Sequence, residues 1–320
     1  MKALVTGATG FVGSHLVEAL RARGADVTLL VRSPAKAGPL ATLGVEIVAG
    51  GLEDGTALRQ AAEGQDVIFH AAGVVAARSE AEFQRVNRDG TAAVVAAAAA
   101  GSVGRLVLVS SLAAAGPAER GHPLTGEEPP RPVTAYGRSK LAGEAVVREG
   151  RVPWTIVRPP MVYGPRDREV LKLFRLARIG IAPVFGGGEQ ELSAVHAADL
   201  GAALVAASTA PAERLYHVCH PETFTSGDFV KSVGATMGRR VRVIALPQLV
   251  GRALLGVTGT AARIAGQATI LTADKANEFF QAAWTADPGP LTRDTGWRAR
   301  YELASGLADT YRWYCAAGWL

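Results

Sequence analysis

The chain has 320 residues, of which 48% are hydrophobic and 20% are charged, and its formal net charge is +5. This length and composition are typical of one large or two modest globular domains and exclude a disordered chain. The basic residues are scattered, and no run of five to eight Lys and Arg residues indicates a nucleic-acid-binding patch.

The two cysteines, Cys219 and Cys315, lie far apart in the sequence and fit neither a disulfide framework nor a zinc motif. The chain begins directly with a strand-like run and shows no secretion signal. The late apolar segment 253–262 is shorter than the roughly 20 residues that span a bilayer. We therefore expect a cytoplasmic protein with no membrane span, no nucleic-acid partner and no metal ligands.

The first half of the chain alternates short apolar runs with helical patterns. The runs predict strands at 2–6, 26–31, 45–48, 66–72, 105–111 and 154–160. Helices are predicted at 11–23, at about 80–100 and at 134–149. This alternation is typical of an α/β fold with a doubly wound parallel sheet and right-handed crossovers.

The rhythm changes after about residue 160, where short strands and helices alternate irregularly. We predict that residues 1–160 form the sheet domain and that residues 161–320 mainly form a smaller mixed α/β substrate lobe. This lobe is expected to cover the carboxyl edge of the sheet, where α/β proteins bind ligands. Segments such as 192–220 are expected to return to the sheet domain.

Three glycines, Gly7, Gly10 and Gly13, separate the first strand from the first helix. Glycine lets the turn adopt positive φ and lets backbone N–H groups approach a pyrophosphate, which the positive end of the helix dipole also attracts. This context indicates a Rossmann-type NAD(P)-binding domain, and the alternative is an ordinary strand–helix turn. The loop residues expected at the cofactor are Gly7, Thr9, Gly10, Phe11, Val12 and Gly13.

The end of the second strand favours one form of the cofactor. An acidic residue about 20 positions after the glycines usually binds the adenosine ribose of NAD, whereas Arg accommodates the 2′-phosphate of NADP. This chain has Arg32 and Ser33 there, with Lys36 close behind. We therefore predict NADP rather than NAD; the alternative is that Arg32 stacks on the adenine, which would serve either cofactor.

The segment Tyr136-Gly-Arg-Ser-Lys140 places a phenol and an ammonium on one face of a predicted helix. A nearby ammonium favours the phenolate and brings the tyrosine pKa toward neutrality, which suits acid–base catalysis. Ser111 follows the fifth strand and is expected to hold a substrate carbonyl against Tyr136. The alternatives are a solvated helix face and a serine that caps a turn.

Several motifs, taken together in this order, resemble the extended branch of the short-chain dehydrogenase/reductase superfamily, the NAD(P)-dependent epimerase/dehydratase-like group. They are TGATGFVG (6–13), HAAG (70–73), the N-x-x-G-T pattern at 87–91, SSLAAAG (110–116), YGRSK (136–140), RPPMVYGP (158–165) and AVHAADL (194–200). The resemblance covers nearly the whole chain.

This resemblance implies a nicotinamide cofactor and catalysis by Ser111, Tyr136 and Lys140. In a reductase, Tyr136 would protonate the ketone oxygen, Ser111 would hold the developing oxyanion, and Lys140 would orient the ribose. It also implies a homodimer formed through the helices near 80–100 and 136–149. The further cofactor contacts that it implies are Leu52, Ala71, Ala72, Gly73, Pro159, Met161 and Val162.

Departures from the family pattern reduce the number of functions that fit the sequence. Ser111 is followed by Leu112 and Ala113, whereas sugar-nucleotide dehydratases carry Thr-Asp-Glu in this stretch. The segment 189–194 has two acids and no arginine for a diphosphate, and the segment 243–271 is rich in Leu, Ile and Val.

We therefore predict an oxidoreductase that interconverts a ketone and a secondary alcohol on an apolar small molecule, with segment 243–271 lining the pocket. Segment 243–271 could instead be a core helix. The alternative functions are a sugar-nucleotide epimerase with tightly bound NAD and a catalytically silent cofactor-binding module.

Overall fold

A computed structural model describes all 320 residues. The strands are β1 (Lys2–Thr6), β2 (Asp26–Val31), β3 (Glu46–Ala49), β4 (Val67–His70), β5 (Arg105–Val109), β6 (Trp154–Arg158), β7 (Met161–Tyr163), β8 (Ile181–Phe185), β9 (Glu191–His196), β10 (Arg214–His217), β11 (Thr223–Thr225), β12 (Arg242–Leu246) and β13 (Ala283–Trp284). The helices are α1 (Phe11–Ala22), α2 (Gly38–Ala41), α3 (Gly55–Ala62), α4 (Glu80–Gln84), α5 (Gly90–Ala100), α6 (Leu112–Ala115), α7 (Ala135–Glu149), α8 (Arg168–Arg178), α9 (Ala197–Ala207), α10 (Ser226–Thr236), α11 (Gln248–Ile264), α12 (Ala276–Phe279), α13 (Gly289–Thr295) and α14 (Leu303–Ala316).

Seven parallel strands form the central sheet in the order β10-β6-β5-β4-β1-β2-β3. The central strands are rich in apolar residues and buried on both faces, whereas the edge strand β3 is partly exposed. One core of 27 residues lies on the side of α1 and α9, and a second of 17 residues lies on the side of α3, α5 and α7. The predicted Rossmann-type, doubly wound parallel sheet is confirmed.

The strand order reverses between β1 and β4, which both emerge at the same carboxyl edge. Ligands of open α/β sheets bind at such a switch point. The strands predicted at 66–72, 105–111 and 154–160 end earlier, at His70, Val109 and Arg158. The residues that follow leave the sheet, and their side chains and backbone groups build the candidate site.

The helix predicted over 80–100 is interrupted. A π-helical turn at Arg85–Asp89 separates α4 from α5. Within this turn, the Asn87 amide accepts from the Val74 N–H at 2.9 Å and donates to the Val74 carbonyl at 3.0 Å. It also donates to the Ser139 hydroxyl at 2.9 Å. We attribute the wide turn to these contacts, which hold Asn87 against the loop after β4 and against α7.

The second half of the chain builds a smaller mixed lobe. Strand β9 pairs with β7, β11 and β13, and β8 pairs with β12. A core of 13 residues lies between α8, α10 and α14 and includes Tyr163, Phe174 and Tyr314. The segment Ala197–Ala207 packs on α1 as α9, and β10 joins the main sheet beside β6.

Helix α11 is not the core helix that was one interpretation of segment 243–271. It buries only Gly251 and Leu255, and most of its other residues are exposed. The segment is also not one helix, because its first residues form strand β12. No helix of the protein combines the length and the apolar character needed to cross a membrane.

A buried ion pair ties α7 to the sheet. The Glu144 carboxylate accepts two hydrogen bonds from Arg158, at 2.8 and 2.7 Å, and a third from the Ser110 hydroxyl at 2.5 Å. Glu144 is fully buried and Arg158 nearly so. Because Arg158 ends β6 and Ser110 follows β5, this one carboxylate fixes the helix against two strands. Such a pair is costly to break from one side, since the remaining charge loses its partner in a low-dielectric interior.

Replacing Glu144 by Gln should therefore lower the free energy of unfolding by about 3 kcal/mol or more. The measurement is urea denaturation followed by circular dichroism. Glu149→Gln is the matched control, because Glu149 lies on the same helix but is exposed. Equal unfolding free energies for the two variants would contradict the role given to Glu144.

Candidate active site

The glycine loop after β1 fits a dinucleotide. Gly7 has φ of +74°, and a Cβ there would lie 2.5 Å from the Ala72 nitrogen. A Cβ at Gly13 would lie 2.2 Å from the Gly7 carbonyl oxygen, so neither position admits a side chain. Gly10 caps α1 without a side chain, and the N–H groups of Phe11, Val12 and Gly13 have no partner within the chain. These free donors at a helix N-terminus form a site for a phosphate group.

Thr9 and Gly10 are exposed at the rim of this loop. Arg32 and Ser33 follow β2, the neighbour of β1, and therefore lie at the same edge of the sheet. Arg32 is exposed and takes no part in the ion pairs of the chain. Lys36 is exposed on a short 3-10 turn just beyond it. This edge thus presents two cations that can meet an anionic group on the adenosine side.

The segment after β4 is held by buried polar contacts. Its last strand residue, His70, is fully buried, and its ring contacts the hydroxyls of Thr6 at 2.7 Å and Thr91 at 3.0 Å. The ring therefore links β1, β4 and α5 directly behind the glycine loop. Burial lowers the pKa of His70 to about 3, with a smaller contribution from the charge of Lys140, so the imidazole is neutral.

The other residues expected at the cofactor lie around this edge. Ala71, Ala72 and Gly73 follow His70, and a Cβ at Gly73 would lie 3.7 Å from the Lys140 Nζ atom. Leu52 follows β3 and lies against α5 at Gly90. Beyond β6, the Pro159 carbonyl accepts from Leu112 N–H at 2.8 Å, and Met161 and Val162 belong to β7.

Ser111, Tyr136 and Lys140 converge at the carboxyl ends of β5 and β4. Ser111 caps the short helix α6, because its hydroxyl oxygen accepts from the Ala113 N–H at 3.1 Å. Tyr136 lies in the first turn of α7. One turn later, Lys140 is buried and donates to the Val109 carbonyl at 2.7 Å. Ser111 thus has the capping role that was the alternative for a serine at this strand end.

The pKa values of Tyr136 and Lys140 differ from those expected from the sequence. Enclosure of the hydroxyl raises the pKa of Tyr136 to about 12; Ser111 opposes this shift, and Glu278 adds to it. Burial lowers the pKa of Lys140 to about 8, which Glu144 opposes. Burial, and not the charge of Lys140, therefore decides the direction in which the pKa of Tyr136 shifts. At neutral pH Tyr136 is a neutral phenol that can donate a proton.

Sequence reasoning missed a strap from the second lobe, residues 272–280, which lies over the start of α7. Asp274 accepts from the Ala135 N–H at 2.9 Å, and Glu278 accepts from the Thr134 hydroxyl at 2.6 Å. Lys275 pairs with Glu278 and lies 5.6 Å from the centre of the Tyr136 ring. The only signal in the sequence was that Asp274 and Glu278 are the first acids after Asp228.

A cavity of about 390 Å³ opens between α11, the strap and Tyr136. From α11 and the segment after it, the lining is formed by Gly256, Gly259, Thr260, Arg263, Gln267, Thr269 and Ile270. Segment 243–271 therefore lines this cavity, as expected, but Ile270 is the only one of its Leu, Ile and Val residues in the lining. Gly256 and Gly259 of α11 face the cavity, Leu255 is buried, and the other Leu and Val residues of the helix are exposed.

The Rossmann-type sheet, the glycine loop and the Tyr136–Lys140 helix define an NAD(P)-dependent enzyme of the extended short-chain dehydrogenase/reductase type. A model described as "NAD dependent epimerase/dehydratase family" matches residues 3–219. The chain belongs to this family, which confirms the resemblance drawn from its motifs.

Similar proteins include two bacterial reductases. The ceramide reductase of Caulobacter vibrioides is 36% identical over 323 residues, which cover 99% of this chain and 95% of that protein. The 4-hydroxy-2-methyl-3-oxo-4-farnesyl-3,4-dihydroquinoline-1-oxide ketoreductase of Stigmatella aurantiaca is 33% identical, with 79% and 78% of the two chains covered. Among solved structures, UDP-glucuronic acid 4-epimerase from Bacillus cereus in complex with NAD matches with a TM-score of 0.79 over 99% of both chains. Its 20% identity shows the shared fold.

The buried imidazole of His70 should make stability depend on pH. The unfolded ring titrates near its usual pKa of about 6.5, whereas the folded ring stays neutral down to about 3. The unfolded state therefore binds more protons between these values, and the free energy of unfolding rises with pH across this window. From pH 7 to pH 4.5, His70→Gln should lose roughly 2–3 kcal/mol less stability than the unaltered protein.

The measurement is urea denaturation at the two pH values. His122→Gln is the control, because His122 is exposed. If His70→Gln and His122→Gln lose the same stability on acidification, the buried ring is not the source of the effect.

Proposed function

We propose that the protein is an NADP-dependent reductase that converts a ketone on an apolar small molecule into a secondary alcohol. The observation that carries this proposal is the phenol of Tyr136, which lines a cavity of about 390 Å³ and lies one turn before the buried Lys140 on α7. A bound nicotinamide supplies the hydride for such a reduction.

The residues of the chain supply orientation and a proton. The Ser111 hydroxyl can donate a hydrogen bond to the carbonyl oxygen and so hold the substrate against Tyr136. As negative charge develops on that oxygen, Tyr136 delivers its phenolic proton to it. An alkoxide is a stronger base than a phenolate, so the transfer is downhill even with the raised pKa of Tyr136. The ammonium of Lys140, fixed by Val109 and backed by Glu144, favours the phenolate that remains.

The substrate class is supported by the similar proteins and by the cavity. The names of both reductases describe molecules with long aliphatic parts, a ceramide and a farnesyl derivative. The cavity is small and its lining is mixed, with Arg78, Arg138, Arg263 and Lys275 among its residues. We infer that the cavity takes the polar, carbonyl-bearing end of the substrate, while the aliphatic part extends outside it.

The test is the oxidation of NADPH, measured with aliphatic ketones of increasing chain length and with UDP-glucose and UDP-glucuronic acid. We expect turnover with the ketones and none with the sugar nucleotides. Tyr136→Phe should lower kcat by about 10²- to 10⁴-fold, because the proton donor is lost, while the Kd for NADPH stays unchanged. Activity confined to sugar nucleotides, or full activity of Tyr136→Phe, would contradict the proposal.

Arg32 should decide the preference between cofactors. In Arg32→Asp, the Kd for NADPH should rise at least about tenfold, because a charge-assisted hydrogen bond is replaced by repulsion of the 2′-phosphate. The Kd for NADH should stay constant or fall. Both are measured by fluorescence titration, with Arg151→Asp, an exposed site of the same charge change, as the control. Equal affinity of the unaltered protein for NADPH and NADH would show that Arg32 does not read the phosphate.

The homodimer implied by the family resemblance, through the helices near 80–100 and 136–149, stays a prediction. In the structure these segments are α4, α5 and α7, which pack side by side on one face of the sheet.

A further inference from the structure

Helix α11 presents an apolar face to solvent. Of the nine large hydrophobic side chains that the chain leaves exposed, five lie on this helix. They are Leu249 (83% exposed), Val250 (54%), Leu254 (49%), Val257 (68%) and Ile264 (83%). From Val250 onward their spacing of three, four and seven residues places them on one side of the helix.

The opposite side of α11 faces the protein. Gly251 approaches Phe185 and Phe280, Leu255 is buried, and Gly259 approaches the backbone at Thr272. These contacts fix the rotation of the helix, so its apolar residues face outward. A soluble protein rarely concentrates its exposed apolar residues in this way unless the patch meets a partner.

The charge around α11 indicates what that partner is. Residues 229–273 contain six Lys and Arg residues and no Asp or Glu. The rest of the chain has 28 basic and 29 acidic residues, so the net positive charge of the protein comes entirely from this segment. Two of the cations, Arg252 and Arg263, lie on α11 itself and are exposed.

We infer that α11 lies on the surface of an anionic phospholipid bilayer, with Leu249, Val257 and Ile264 entering the boundary between headgroups and acyl chains. Apolar residues on one face and basic residues beside them are the signature of helices that lie in this interface without spanning it. Arg252 lies over the Phe280 ring and donates to Asn277, and Arg263 lines the cavity, so the attraction to the anionic surface comes from the exposed cations of residues 229–273 as a whole.

A second copy of the chain fits this face less well. Pairing two α11 helices would bring together two segments that carry cations and no acid, which repel each other. An anionic lipid surface covers the same apolar face and neutralises the same charge.

A role for the bilayer contact follows from the position of α11, and this role rests on the proposed function. The inner side of the helix lines the cavity that contains Tyr136. A lipid ketone could place its carbonyl end in this cavity while its chain remains in the membrane on which α11 rests.

The test is co-sedimentation of the whole protein with vesicles of phosphatidylglycerol and phosphatidylcholine in equal parts, and with vesicles of phosphatidylcholine alone. We expect binding to the anionic vesicles that weakens when NaCl is raised to 0.5 M. In the triple variant Leu249→Gln, Val257→Gln, Ile264→Gln, the partition coefficient should fall at least tenfold. Glutamine has good helix propensity, so the exposed helix should persist. Ile179→Gln, an exposed apolar site outside α11, should bind normally.

Hydrogen exchange of the unaltered protein provides an independent measurement. Anionic vesicles should protect the amides of residues 248–264 from exchange. Absence of vesicle binding, unchanged binding of the triple variant, or protection confined to other segments would overturn the inference. So would a dimer that the triple variant abolishes without any vesicle binding.

Vesicle binding needs no turnover, so its failure is distinct from failure of the proposed reductase activity. If both proposals hold, the triple variant should lose activity on a long-chain ketone supplied in vesicles. It should keep its activity on a short, water-soluble ketone.

Discussion

The carboxylate of Glu144 is the constraint on which the geometry of the site depends. It is fully buried on α7, and Arg158 from β6 and Ser110 after β5 supply all three of its closest donors. Glu144 is one turn beyond Lys140, which is one turn beyond Tyr136. Fixing this carboxylate against two strands therefore fixes the rotation of the helix that carries Tyr136, the proposed proton donor. Lys140 adds a contact to Val109 at the end of β5, so the helix is held against the sheet at two successive turns.

The other parts of the site are arranged around this rigid edge. His70 and Asn87 fix the segment after β4 through buried hydrogen bonds, and this segment lies beside both Gly7 and Lys140. The N-terminus of α7 is covered from the opposite side by the strap through Asp274 and Glu278. The sheet domain thus supplies the glycine loop and the proposed catalytic group, and the smaller lobe supplies the cover and one wall of the cavity. This division explains how one fold can keep its chemistry while its substrate changes.

The sequence was sufficient to predict the sheet domain, because its signals are local. Apolar runs mark the strands, Gly7 and Gly13 mark a turn that excludes side chains, and the Tyr136–Lys140 spacing marks a helix face. The interruption at Arg85–Asp89 could not be read, because it accompanies contacts of Asn87 with Val74 and Ser139 that exist only in the folded chain. The strap was missed for the same reason, since Asp274 acts on Ala135 from 139 positions away. The outward apolar face of α11 could not be predicted, because an apolar segment indicates burial but does not say which face of the helix meets the protein.

The central claim is that the protein reduces a ketone, and the fate of the transferred hydrogen tests it most directly. NADPH with both hydrogens at nicotinamide C4 replaced by deuterium would be incubated with the protein and a long-chain ketone, and the product analysed by mass spectrometry. The account predicts a secondary alcohol with one deuterium on the former carbonyl carbon and stoichiometric formation of NADP. An alcohol without deuterium, or deuterium that stays on the cofactor while a sugar nucleotide is epimerised, would contradict it.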